Sequence, residues 1–354
     1  MPEQDWVERA ADRGFEPVRA AVAAGWLPGA AIGVVTADGA RAVRWDGCAA
    51  LVPERAALAR DTWFDLASLT KVILTVPAIL RLVEAGEADL HDALSRHLPD
   101  LHQVGAQLRP DQQPPLRAVT LLDLLTHRSG LPAWAPLYTW GTDPATLKAL
   151  LLQHDWPLGA PGYSDLGFML LGLMVERRHG RPLAELPLPA GITAAPDPAR
   201  TAATEACPWR GRVLRGETHD ENAWALGGVA GHAGLFGTID GVLDFACDLM
   251  AGRLLSPAAT AALCRPRTAT RALGWQIPHD DSGGGEPSWT GGSLCSSSAL
   301  GHTGFTGTGL WIDPERGFAW ALLGNRVHPA RPTGESMRPL RRAFGNRITA
   351  CCPR

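Results

Sequence analysis

The chain has 354 residues, 45% of them hydrophobic, enough for one large domain or two entwined ones around a substantial core. Its net charge of −3 leaves no basic footprint for nucleic acid. No apolar run is long enough to span a bilayer; 69–83 is too short and is broken by Lys71 and Arg81.

The amino terminus is acidic and lacks the apolar segment of a signal peptide. Seven scattered cysteines, none in a C-x-x-C pair, indicate free thiols in a reducing compartment, so the expected location is the cytoplasm. Residues 5–24 read as an amphipathic helix. Two short strands, 30–35 and 42–45, are joined at Asp38-Gly39, a hairpin signal. Residues 68–85 read as a helix apolar around most of its circumference, with a kink expected at Pro77. A mainly helical region follows, about 92–264, with helices at 120–126, 144–153, 164–178 and from Thr238 to near Gly252, and an irregular proline-rich stretch at 182–198. Strands return at 273–277, 300–304, 309–312 and 318–323, with a loop at 282–285, and 335–348 closes the chain as a helix. Strands at both ends imply one α/β part, about 1–91 and 265–354, and a helical part between, with a ligand site expected at their junction.

Of 33 basic residues only Lys71 and Lys148 are lysine. Arginine stays protonated, whereas a desolvated lysine can lose its proton, so a lysine retained at 71 points to an amine that can be neutral. Ser68 stands three residues earlier, on the same helical face and in the first turn, where free N–H groups favour developing negative charge. Tyr163, one of two tyrosines, opens Tyr163-Ser164-Asp165; a phenol near an ammonium can shuttle protons. His302-Thr303-Gly304 lies on a strand whose glycine admits a close backbone or ligand.

The order S-x-x-K, then Y-x-N, then K-T-G or H-T-G is the pattern of the serine β-lactamase and penicillin-recognising superfamily, and this chain resembles it over nearly its full length. The stretches 124–131, 163–168 and 231–236 add to the likeness, and 219–223 and 325–329 resemble the esterase-like or cell-wall-amidase-like branch. The resemblance implies an α+β fold of the β-lactamase/DD-peptidase type, an antiparallel sheet flanked by helices plus a helical subdomain. It implies Ser68 as nucleophile, Lys71 as its base and Tyr163 as proton carrier to the leaving group. The backbone N–H groups of Ser68 and Phe305 would form the oxyanion hole, and Asp165, His302, Thr303 and Gly304 would contact substrate. The implied reaction is hydrolysis of an ester or amide through a Ser68 acyl-enzyme, with a carboxylester or a cell-wall peptide fragment as substrate. Alternatives are a D-alanyl-D-alanine carboxypeptidase, a β-lactamase, or a penicillin-binding sensor without turnover.

Two positions depart from the pattern. Asp165 replaces the usual asparagine, and an ionised Asp165 would favour a protonated Lys71. His302 replaces the usual lysine, and a neutral imidazole holds a substrate carboxylate less strongly. His219-Asp220-Glu221 lacks metal-ligand spacing and reads as cleft lining or loop capping, so neither metal nor cofactor is expected. His232 reads as shaping the wall of the site, His127 and Arg128 as turn structure, and Trp134, Trp140, Trp224 or Trp289 as a platform for an acyl group or sugar.

Overall fold

The computed structural model describes residues 3–102, 115–279, 288–332 and 336–353. Its helices include α1 (Glu3–Ala23), α2 (Val76–Glu84), α3 (Asp165–His179), α4 (Ile239–Met250) and α5 (Arg338–Thr349). The chain forms two compact units, one of 1–69, 188–219 and 235–354, the other of 70–187 and 220–234. This division differs from the expected one: 70–91 groups with the helices, and 188–219 and 235–264 group with the sheet. No described helix is long and apolar enough to cross a membrane.

The first unit is built on an antiparallel sheet. Its strands are β1 (Gly29–Thr36), β2 (Arg41–Ala50), β3 (Ala56–Ala57), β4 (Leu300–Thr303), β5 (Gly309–Asp313) and β6 (Phe318–Gly324), in the order β3-β2-β1-β6-β5-β4. The two ends of the chain meet at its centre, with Ile32 opposite Leu322 on one side and Arg44 on the other. Every residue of β1 and β6 is buried because both sheet faces are covered. On one face α1 and α5 pack Trp6, Val7, Phe344 and Ile348 against Ile32, Val34, Trp311 and Trp320. On the other, α4 packs against β1 and β6. A strand buried on both faces reads as a continuous apolar run, which is why Gly29–Thr36 shows no alternation.

Residues 273–277 do not form the expected strand: Gln276 makes only single bridges, to Arg271 and Gly301. A small sheet of Phe64–Asp65, Phe236–Gly237 and Ile192–Thr193 had no sequence signal, each strand being too short to show a period. The expected loop at 282–285 and the expected helix start at Glu335 lie outside the described residues, and α5 is described from Arg338.

In the second unit α3 is capped as its sequence dictates. The Ser164 side chain accepts from the Gly167 N–H, and Gly180 ends the helix in the left-handed region. Expected helices at 120–126 and 144–153 appear as Leu121–Leu125 and Pro144–Gln153. The region about Pro77 differs from a simple kink. Lys71–Thr75 winds as a buried π-helical turn, in which the Val76 N–H donates to the Lys71 carbonyl five residues back. Pro77 then falls in the first turn of α2, where no intrahelical donor is needed.

Trp320 is fully buried and stacks between Trp311 and Phe318 at 6.2 and 5.3 Å. Trp320→Ala is expected to lower stability by about 3–5 kcal/mol through the cavity it leaves. Urea denaturation of the folded variant checks this.

Candidate active site

The helical unit gathers Lys71, Tyr163 and Asp165. The π-helical turn sinks Lys71 to 0% exposure, and its Nζ donates to Asp165 Oδ1 at 2.6 Å and to the His232 carbonyl at 3.1 Å. Nζ also lies 5.0 Å from the Tyr163 ring centroid and 5.6 Å from that of Phe168. Burial pushes the ammonium pKa down, but the Asp165 charge, then Tyr163, outweigh it and hold Lys71 above the ordinary lysine value. That balance favours the charged form of Lys71. The scarcity of lysine pointed to an amine that can be neutral, and the carboxylate at 165 opposes this, in the direction expected from the departure at that position.

Local structure fixes each partner. Asp165 is the first residue of α3, and its N–H donates to the Ala133 carbonyl at 2.9 Å. Ser164 donates its hydroxyl to Pro132 O at 2.7 Å and its N–H to His127 Nδ1 at 3.1 Å. Because His127 Nδ1 accepts, a neutral ring carries its proton on Nε2. That ring packs on Tyr163 and Phe168 at 4.4 and 5.1 Å and so sets the plane of the phenol. His127, read from the sequence as turn structure, is thus a support for Tyr163. Gly231 explains how the 228–234 hairpin comes close enough for His232 to present its carbonyl: a Cβ there would stand 2.0 Å from Phe168 O and 2.8 Å from Gly172 N. Asp220 caps the helix Glu221–Ala225 and holds His232 Nε2 at 2.9 Å.

The sheet-bearing unit holds Ser68, His302, Thr303, Gly304 and Phe305. Ser68 is half-buried and immediately precedes the helical run at Leu69 and Thr70. The segment before it is fastened by Asp65, whose Oδ1 accepts from Ala67 N at 2.8 Å and Oδ2 from His219 N at 2.7 Å. The turn after β4 is tied to the same segment, with Thr306 Oγ1 on Asp65 O at 2.7 Å and Thr308 Oγ1 on Leu66 O at 3.1 Å. Gly304 is required by this closeness, since a Cβ there would stand 2.6 Å from Leu66 O. Among the described residues the Phe305 N–H has no acceptor. That leaves it available to an oxyanion.

His302 is buried in β4 opposite Leu310, and its Nδ1 lies 3.1 Å from Thr303 O. Thr303, half-buried, is the more open of the two. The Phe305 ring, 50% exposed, stacks on His219 at 5.8 Å and lies 5.7 Å from each of the Arg326 and Arg331 guanidinium carbons. His219 Nε2 is 2.8 Å from Glu205 Oε2, which also accepts from Arg331 at 2.7 Å. Among the described residues no group of three or more His, Cys, Asp or Glu side chains is placed to hold a metal ion. Trp289 is buried in the core beside α5 and is no platform, whereas Trp134 and Trp224 are exposed.

This antiparallel sheet with its flanking helices, carrying a serine one turn before a buried lysine, defines a serine hydrolase of the penicillin-recognising type. The beta-lactamase family model matches residues 16–341, and the chain belongs to that family. It is 33% identical to an N-acetylmuramyl-L-alanine amidase of Bacillus subtilis (strain 168), over 75% of this chain and 68% of the relative. It is 30% identical to a putative D-alanyl-D-alanine carboxypeptidase of Salmonella agona (strain SL483), over 76% and 70%. The fold matches that of a class C beta lactamase from Rhodobacter sphaeroides with a TM-score of 0.67 at 20% identity, covering 97% of this chain and 98% of that one.

The hydrogen bond from His219, opposed by burial and aided by Arg331, draws the Glu205 carboxyl down to about 2. Its folded value lies below the unfolded one of about 4.3, so its contribution to stability is present above that pH and disappears as pH falls towards 2. Glu205→Gln is expected to lower the melting temperature at pH 6, with the gap to wild type narrowing as pH falls below about 4.3. Melting curves at several pH values measure this.

Proposed function

We propose that this hydrolase cleaves an ester or a small amide through an acyl-enzyme on Ser68, with Lys71 as a fixed cation and Tyr163 as the proton carrier. The observation that carries the reading is the buried Lys71–Asp165 pair beside Tyr163, three residues after a serine at the start of a helical run. An ammonium already holding its proton cannot take one from Ser68, so the base role implied by family resemblance passes to the Tyr163 phenolate that the cation stabilises.

Ser68 Oγ gives its proton to the Tyr163 phenolate and bonds to the substrate carbonyl carbon, and the carbonyl π pair moves onto oxygen. The backbone N–H groups of Ser68 and Phe305 receive that oxyanion. Collapse breaks the bond to the leaving group, which takes the proton from Tyr163. Water then gives a proton to the phenolate and attacks the acyl carbon, and the second collapse returns that proton to Ser68 as the acid departs. Thr303 and Gly304 line the strand along which substrate lies, and Asp165 sets the charge of Lys71.

The substrate class we favour is a carboxylester or a peptide fragment of cell wall. The curated relatives, an amidase and a putative carboxypeptidase by name, support a wall-derived amide. His302 in place of lysine weakens the hold on a β-lactam carboxylate and argues against efficient β-lactamase activity. A cytoplasmic enzyme of this kind would meet recycled wall fragments.

A fluorophosphonate is expected to label wild type at Ser68 and to leave Ser68→Ala unlabelled; equal labelling of both would refute the nucleophile. Hydrolysis of p-nitrophenyl esters is expected to exceed that of nitrocefin, and rapid nitrocefin turnover without ester hydrolysis would refute the substrate class.

Tyr163→Phe is expected to slow acylation by about 10²–10⁴-fold, read from the p-nitrophenolate burst. Asp165→Asn removes a negative charge beside the proton carrier, so the acid limb of kcat/KM is expected to move to lower pH. Coincident pH–rate profiles would show that Asp165 does not tune the site.

A further inference from the structure

We propose that Arg341 is a positioning residue for the oxyanion donor, its guanidinium orienting and polarising the Gly304–Phe305 peptide. The inference rests on the assignment of the Phe305 N–H to the substrate oxyanion made above.

Arg341 lies on the inward face of α5 with Leu340, Phe344 and Ile348, and is buried. Among the described residues it has no carboxylate partner. Its Nη2 instead donates to two backbone carbonyls, Gly304 O at 3.1 Å and Thr308 O at 2.7 Å. Burial, then repulsion from Arg326 and Arg338, pull its pKa down to about 9, so it remains charged at neutral pH. An unpaired cation in a protein interior is costly, and a methionine would fill a similar volume at no desolvation cost. Stapling α5 to the sheet therefore does not by itself account for a charged group here.

The Gly304 carbonyl and the Phe305 N–H belong to one planar peptide, pointing in opposite directions. Holding that oxygen fixes where the N–H points, and a charged donor on the oxygen strengthens the N–H as a donor in turn. From another backbone group among the described residues, Gly304 O receives a long bond of 3.3 Å from Gly307 N. The Thr308 carbonyl, the other end of the guanidinium's grip, also accepts from Gly304 N at 2.9 Å. The two threonine hydroxyls hold the turn to the Asp65–Leu66 segment, and Arg341 holds the peptide plane within it.

The test uses the full chain acylated with p-nitrophenyl cinnamate carrying ¹³C at the carbonyl, as wild type and as Arg341→Lys, Arg341→Gln and Arg341→Met. The carbonyl stretch of the trapped acyl-enzyme reads polarisation directly, which a purely structural role would not move. Wild type is expected to show a stretch below that of the same ester in water. Arg341→Met is expected to raise it towards the water value and to slow acylation about tenfold with KM little changed, short of the 10²–10³ lost when a donor is removed outright. Arg341→Lys keeps the charge and is expected to retain most of both. Should Arg341→Met not fold, Arg341→Gln, which keeps an N–H donor without charge, is expected to fall between wild type and the water value. A lowered wild-type stretch left unchanged in the folded uncharged variants would overturn the role of Arg341 alone. No lowering in wild type would overturn the Phe305 assignment and this role with it.

Discussion

The ion pair between Lys71 and Asp165 is the constraint around which the helical unit is arranged. An ammonium removed from water loses several kcal/mol of solvation, and only a close, well-hydrogen-bonded carboxylate offsets that loss. The π-helical turn places Lys71 inside, the Ser164 cap and the start of α3 place Asp165 2.6 Å from it, and the hairpin at Gly231 supplies a second acceptor from the His232 backbone. Asp165 keeps 18% of its side chain exposed, so the pair has one dry end and one end in contact with water. That asymmetry suits a charge that is fixed in place while the phenol beside it changes protonation.

The sheet-bearing unit contributes mainly backbone geometry. Asp65 fastens the approach to Ser68, and the threonines at 306 and 308 fasten the turn that carries Phe305 to the same segment. The central strands β1 and β6 come from opposite ends of the chain and are buried on both faces, so the frame beneath these donors is rigid. An oxyanion site needs that rigidity, because donors that must reorganise during the reaction lose much of their electrostatic advantage. The buried arginine on α5 extends the same logic from holding the backbone to polarising it.

What the sequence conveyed depended on whether a feature is local. The S-x-x-K spacing and the apolar strands at both ends are local patterns, and the fold class followed from them. The π-helical turn was hidden because Pro77 signals a disturbance without saying on which side of it the helix will adjust. Residues 188–219 and 235–264 gave no sign of grouping with the sheet-bearing unit, since their strands are only two residues long and the helix read from Thr238 carried no mark of packing on the sheet. The second acceptor for Lys71 is a backbone carbonyl, which every residue has, so His232 stood out only for an imidazole that is turned to Asp220. Arg341 was one arginine among many, and its significance comes from burial and from the two carbonyls it meets. Lysine scarcity singled out Lys71, while the carboxylate at 165, itself visible in the sequence, favours its charged form.

The account therefore turns on the charge of one amine. Because the chain has only two lysines, a ¹⁵N-lysine sample gives two side-chain signals, and Lys71→Met assigns them. The Lys71 Nζ resonance is expected to stay at the ammonium position past the ordinary lysine pKa of about 10.4, and Asp165→Asn is expected to bring its titration to lower pH. A neutral-amine resonance at pH 7 in wild type would contradict it.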